Sequence, residues 1–128
     1  MSISHIPEGF QSVTPYFIVD DGDNFLNFLV EAFDAEILGR SNAEDGKLMH
    51  SAAKIFDSMI EASQGSGDHP PMLMAIHLYV PDSDAVYEKA LAAGGEVIFD
   101  IVDKPYGERS GGVKDPCGNH WYIATRIE

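Results

Sequence analysis

Five histidines, one cysteine and 21 acidic residues are the groups of this chain able to ligate a metal or carry a proton. His50, His77, His120 and Glu61 fall on stretches that read as strands, where side chains alternate between faces. His50 and Glu61 flank a candidate hairpin. If its turn is Phe56-Asp57, Ala52 lies opposite Glu61 and His50 shares that face. His77 shares a face with Ala75, and Tyr16 with Thr14. His120 shares a face with Tyr122, while Trp121 and Ile123 occupy the other and read as core under a helix. Two histidines and a carboxylate could bind a divalent metal or shuttle a proton. Hydrogen-bonding wall residues of a sheet are the alternative for the same histidines, and sheet packing for the tyrosines. The single thiol, Cys117, sits in a turn and cannot form an internal disulfide or a thiolate cluster. No phosphate-binding glycine loop, His-Glu-x-x-His helix or serine elbow is present.

The elements that must hold these groups follow in order. Ser12 to Val19 reads as a first strand, which Pro15 confines to an edge or interrupts. Asp20-Asp21-Gly22-Asp23 offers N-cap carboxylates, and Phe25, Phe28, Leu29, Ala32 and Phe33 then recur at helical spacing. Ala35–Arg40, Lys47–Ile55 and Ser58–Ser63 read as strands two to four. Gln64 to Pro71 is dominated by Gly, Ser and Pro and reads as a linker. Met72–Val80 reads as strand five. Asp82 caps a second helix that stops at Gly94-Gly95. Glu96–Val102, Arg109–Lys114 and His120–Ile127 read as the last three strands, with a loop at Asp103–Glu108 and a tight turn at Asp115–Asn119.

The order is βαβββ, written twice. Val19, Asp21 and Asp23 recur as Val80, Asp82 and Asp84 at one offset of 61. One unit cannot bury its own sheet, so two related units are expected to join. The expectation is an α+β fold over residues 1–128 as a single domain. The repeats are 12–64 and 72–128, joined by a linker at 65–71. They should build a curved mixed sheet with helices outside and a cavity inside.

The net charge is −13, from 8 basic against 21 acidic residues, which argues against nucleic acid and permits a cationic ligand. The start has no charged n-region followed by an apolar run, and no stretch is long and apolar enough to span a bilayer. A cytoplasmic protein without membrane contact is expected.

Three segments carry a resemblance: Val13-Thr14-Pro15-Tyr16 through Val19-Asp20-Asp21, His77-Leu78-Tyr79-Val80-Pro81-Asp82-Ser83-Asp84, and Gly107-Glu108-Arg109-Ser110-Gly111-Gly112-Val113-Lys114-Asp115-Pro116-Cys117-Gly118-Asn119-His120-Trp121. With the repeat, they resemble the vicinal oxygen chelate superfamily of glyoxalase I, extradiol dioxygenases, fosfomycin-resistance enzymes and bleomycin-resistance proteins. The PhnB-like branch is the nearest in pattern. The resemblance spans essentially the whole chain. Metal-dependent members draw ligands from strands one, four, five and eight. The resemblance puts those positions at Thr14, Glu61, Ala75 and Tyr122, of which Glu61 alone is a good ligand. A catalytic divalent site usually needs about three protein ligands, so no metal and no cofactor are expected.

The same positions mark the cavity face, which period-two alternation extends to Tyr16, His50, Glu61, His77, His120 and Tyr122. Arg109 could hold an anionic group at the cavity mouth beside Ser110, or pair with a surface carboxylate. The resemblance implies a small-molecule-binding homodimer, which could sequester an antibiotic or metabolite as the bleomycin-resistance members do. The alternative is a lyase, isomerase or dioxygenase using a displaced His50/Glu61/His77 metal site, or a metal-free step on Glu61 as general base. A domain that docks a protein partner through a sheet edge is the third reading.

Overall fold

A computed structural model describes residues 3–128. The elements are β1 (Tyr16–Val19), α1 (Gly22–Phe33), β2 (Glu36–Asn42), β3 (Leu48–Ile55), β4 (Ser58–Gln64), β5 (Ala75–Tyr79), α2 (Ser83–Ala92), β6 (Glu96–Lys104), β7 (Glu108–Lys114) and β8 (His120–Arg126). The βαβββ order therefore occurs twice. The repeated aspartates perform the same task in each unit. The Asp21 carboxylate accepts from the Asn24 N–H at 3.1 Å, and that of Asp82 from the Ala85 N–H at 3.2 Å, each closing an exposed helix N-terminus.

The first four strands pair in the order β1-β4-β3-β2 and the last four as β5-β8-β7-β6. Within each sheet the first and fourth strands run parallel and the remaining pairs antiparallel. The β3–β4 hairpin has the register expected from its turn, with Ala52 opposite Glu61. Phe56 in that turn takes a positive φ of 53°. Phe25, Leu26, Phe28, Leu29, Ala32 and Phe33 bury one side of α1. The helix-facing sides of both sheets contribute to one core, in which Trp121 of β8 stacks on Phe17 of β1 at 5.5 Å and meets Phe33 of α1 at 4.9 Å.

The two expected βαβββ modules each supply one mixed four-stranded sheet. Ile18 and Met72 form the isolated bridge between their edges. Pro15 and Pro71 border that edge and have no N–H to donate, which limits a ladder there. The first strand begins at Tyr16 rather than Ser12 for a related reason. The Gln11 side chain instead takes the place of a strand backbone: its amide donates to the Met59 carbonyl at 2.8 Å, and its oxygen accepts from the Met59 N–H at 3.2 Å. The linker is pinned rather than free, because the Gly65 N–H donates to the Val19 carbonyl at 2.8 Å and that of Met72 to Ile18 at 3.0 Å. Among the described residues no helix is long and apolar enough to cross a membrane.

Candidate functional site

The side of each sheet away from the helices is open, and the chemistry-bearing residues lie there in two groups. On the first sheet β1 places Tyr16 directly opposite Glu61 of β4, and Glu61 opposite Ala52 of β3. His50, two residues from Ala52, therefore shares the face. Its Nε2 is hydrogen-bonded to Glu61 Oε1 at 2.9 Å, and its ring centroid is 6.1 Å from that of Tyr16. A groove of about 650 Å³ runs beside this group, between Tyr16, Ile18 and Lys47 and the pinned linker.

On the second sheet the parallel β5–β8 register sets Ala75 beside His120, His77 beside Tyr122 and Tyr79 beside Ala124. His120 Nδ1 lies 3.3 Å from the Tyr122 hydroxyl, and the Tyr122 ring stacks on Phe99 of β6 at 6.1 Å. Gly112 makes room for this, because a Cβ there would come within 2.6 Å of the Phe99 ring. His77 Nε2 is hydrogen-bonded to Glu108 Oε2 at 3.1 Å. Glu108 is the wall residue that the sequence reading leaves in a loop. The loop was drawn through position 108, whereas β7 begins there and alternation puts Glu108 on the face of Ser110 and Gly112. Its side chain is 7% exposed against 41% for His77, so a covered carboxylate orients a half-open imidazole.

Six of the eight predicted ligand-facing residues are at least partly accessible on the open sheet faces: Tyr16, His50 and Glu61 on one, and His77, His120 and Tyr122 on the other. No hydrogen bond or aromatic contact joins the two groups among the described residues. Ser110 is on the second open face by register but is buried. Arg109 is on the opposite, helix-facing side. Its guanidinium donates to both carboxylate oxygens of Asp84, at 2.9 and 3.0 Å, and to Asp103 at 3.0 Å. These hydrogen bonds hold the Asp84 carboxyl below its ordinary range and raise the already high pKa of Arg109. Arg109 is the clamp between α2 and β7, which is the surface-pair alternative, and it does not face the open side.

The donor set does not fit the superfamily's divalent metal. Ala75 carries no ligand atom. The Thr14 hydroxyl donates to the Gln11 carbonyl at 3.0 Å, Tyr122 is hydrogen-bonded to His120, and Glu61 is taken by His50. The displaced site is also not assembled within one chain. His50 and His77 lie on separate sheets, each paired with its own glutamate, and no three metal-binding side chains converge among the described residues. What each pair can do alone is accept or relay a proton between imidazole and carboxylate.

Cys117 has no part in either group. Burial, followed by the neighbouring Asp20 carboxyl, pushes its thiol up to about 12. Its turn is held by Asp115, which is buried. One Asp115 oxygen accepts from the N–H groups of Cys117 and Asn119 at 2.9 and 3.0 Å, the other from Trp121 Nε1 at 2.9 Å.

Comparison with known proteins agrees with this architecture. The chain is 38% identical over 127 residues to the uncharacterized protein Mb0911c of Mycobacterium bovis, covering 91% of this chain and 84% of that one. Among solved structures, TioX from Micromonospora sp. ML1 superposes with a TM-score of 0.77 at 22% identity, covering 91% of this chain and 99% of that one. TnmS3, an antibiotic binding protein from Streptomyces sp. CB03234, gives 0.71 at 22% identity and covers 98% of both chains. At such identities the structural likeness speaks for the fold. The family model of the Glyoxalase/Bleomycin resistance protein/Dioxygenase superfamily matches residues 4–123, and the chain belongs to that superfamily.

Proposed function

We propose that this chain is a small-molecule-binding protein of the bleomycin-resistance type, working without a metal and sequestering an antibiotic or a metabolite. The observation that carries the reading is the state of the four strand positions where metal-dependent relatives hold their ligands. Here they are Thr14, Glu61, Ala75 and Tyr122, and Glu61 is engaged by His50. Around them the open faces present aromatic rings and hydrogen-bonding side chains, the composition of a ligand wall. The antibiotic-binding function of TnmS3, on the same fold, supports the choice of ligand. A homodimer completes the proposal. Large apolar side chains such as Met49, Met72 and Leu73 are exposed, more than half of each, and a second copy would cover them. The acidic balance argues against a nucleic-acid partner, and a cytoplasmic location is part of the proposal.

The test is a thermal-shift screen of natural-product antibiotics followed by recovery of the bound compound. A saturable rise in Tm with the compound returned unchanged is expected. Consumption of the compound would move the protein to the enzymes. The observation favouring that second reading is the 2.9 Å His50–Glu61 pair, a ready proton relay. Loss of turnover in Glu61→Gln, with ligand affinity kept, would establish it.

A further inference from the structure

We propose that the groove at the end of the second sheet selects an aromatic ligand bearing a protonated nitrogen, with Glu108 as its counter-charge. This rests on the small-molecule reading and adds the chemical class of the ligand. The groove has a volume of about 710 Å³ and is edged by Tyr79, Tyr106, Pro81, Glu108, Thr125 and Arg126. Tyr79 and Tyr106 are 61% and 69% exposed, two phenol rings with no core to fill. Tyr106 sits in the tight turn between β6 and β7, where Gly107 takes a φ of 87°, and the turn is tied to the chain end by the Ile127 N–H donating to the Gly107 carbonyl at 2.9 Å. Rings held on such a frame can stack on a planar ligand at little entropic cost.

Glu108 supplies the charge. Register places a basic residue beside it on each neighbouring strand, Lys104 on β6 and Arg126 on β8. Neither makes an ion pair with it. The Lys104 ammonium lies 4.1 Å from the centre of the Phe99 ring, and Arg126 Nε donates to the Glu128 carbonyl at 2.6 Å. His77 takes Glu108 Oε2, and no hydrogen bond reaches Oε1 among the described residues. A covered carboxylate with one oxygen unused, at the edge of a groove with aromatic rims, is a site for an N–H donor that carries positive charge. A cation there also gains from the faces of the two tyrosines.

Three probes that share one ring separate the possibilities: tryptamine, its neutral N-acetyl form, and anionic indole-3-propionate. Binding is followed by ¹H–¹⁵N NMR on the full-length protein. Tryptamine should bind at least tenfold more tightly than the other two, with the largest shifts at Gly107, Glu108 and Thr125. Glu108→Gln should abolish that preference, and Tyr106→Ala, in an exposed turn, should weaken both tryptamine and its N-acetyl form. Equal affinity for the three probes, preference for the anion, shifts centred on the first sheet, or a preference that survives Glu108→Gln would each overturn the proposal. If none of the three binds while other small molecules still raise Tm, the ligand class is wrong and the general binding reading stands. If no small molecule binds at all, both fall.

Discussion

Asp115 sets the geometry on which the last strand depends. Its two oxygens accept from the indole of Trp121 and from two backbone N–H groups of the turn, all away from water. Asn119, held by the same carboxylate, accepts from the Met74 N–H at 2.9 Å and so ties the start of β5 to the turn before β8. Asp115→Asn keeps the shape and replaces one acceptor oxygen by a donor facing a donor. An unsatisfied buried group and a lost charge-assisted bond together cost about 3 kcal/mol, or roughly 10 °C in Tm for a domain of this size. Thermal unfolding reads this directly, and an unchanged Tm would contradict it. Cys117, in the same turn, makes an independent prediction. A thiol pushed up to about 12 leaves so little thiolate at pH 8 that, even with its greater nucleophilicity, iodoacetamide should react about a hundredfold more slowly with the native than with the unfolded protein. Comparable rates would show the thiol to be open.

At the scale of elements, two of the attachments of α2 to the second sheet can be tested. Tyr87 packs on Gly111, where a Cβ would lie 2.6 Å from the tyrosine ring. Burial, helped by Asp100, raises the Tyr87 pKa and keeps the phenol neutral in this contact. Gly111→Ala must push the helix off the sheet, at a cost of roughly 1–3 kcal/mol measurable by urea unfolding. The second attachment is the Arg109–Asp84 pair. The Asp84 carboxyl is lower in the folded than in the unfolded chain, so its contribution is present above the ordinary carboxylate pKa and is lost as pH falls through the depressed value. Asp84→Asn should therefore lower Tm slightly at neutral pH, leave it unchanged in strong acid, and so flatten the acid limb of the Tm–pH profile by the same small amount, since the pair is exposed. An acid limb identical to that of the unmodified protein would remove Asp84 from the account. Many element positions were legible in the residues. The paired Asp21 and Asp82 caps, the helical spacing of Phe25 to Phe33 and the Phe56-Asp57 turn each have a local cause. Strand ends were less so, because the side chain of Gln11, distant in sequence from Met59, decides where β1 can begin.

At the scale of the molecule, which residues share a sheet face was readable from period two, and the structure keeps Tyr16 with His50 and Glu61, and His77 with Tyr122. Whether the two faces meet was not readable, since it depends on how two units dock around Phe17, Phe33 and Trp121. Glu108 escaped because a one-residue difference in where β7 starts decides whether it is loop or wall. The sequence left Arg109 open between a ligand anion and a surface carboxylate, because its partner Asp84 lies on another element, 25 residues away. Two open faces per chain, each carrying exposed apolar side chains, lead to an expectation for assembly. Sedimentation equilibrium should give twice the 14.0 kDa of the chain, and a strictly monomeric protein would contradict the proposed pairing. The most direct test of the proposed metal-free binding is the metal content of protein purified without a metal-affinity step, before and after incubation with Zn, Ni, Mn or Fe(II), and again in Glu61→Ala. Metal well below one per chain, with no uptake, is the predicted result. Near-stoichiometric metal that disappears in Glu61→Ala would contradict the account and place a metalloenzyme site around Glu61.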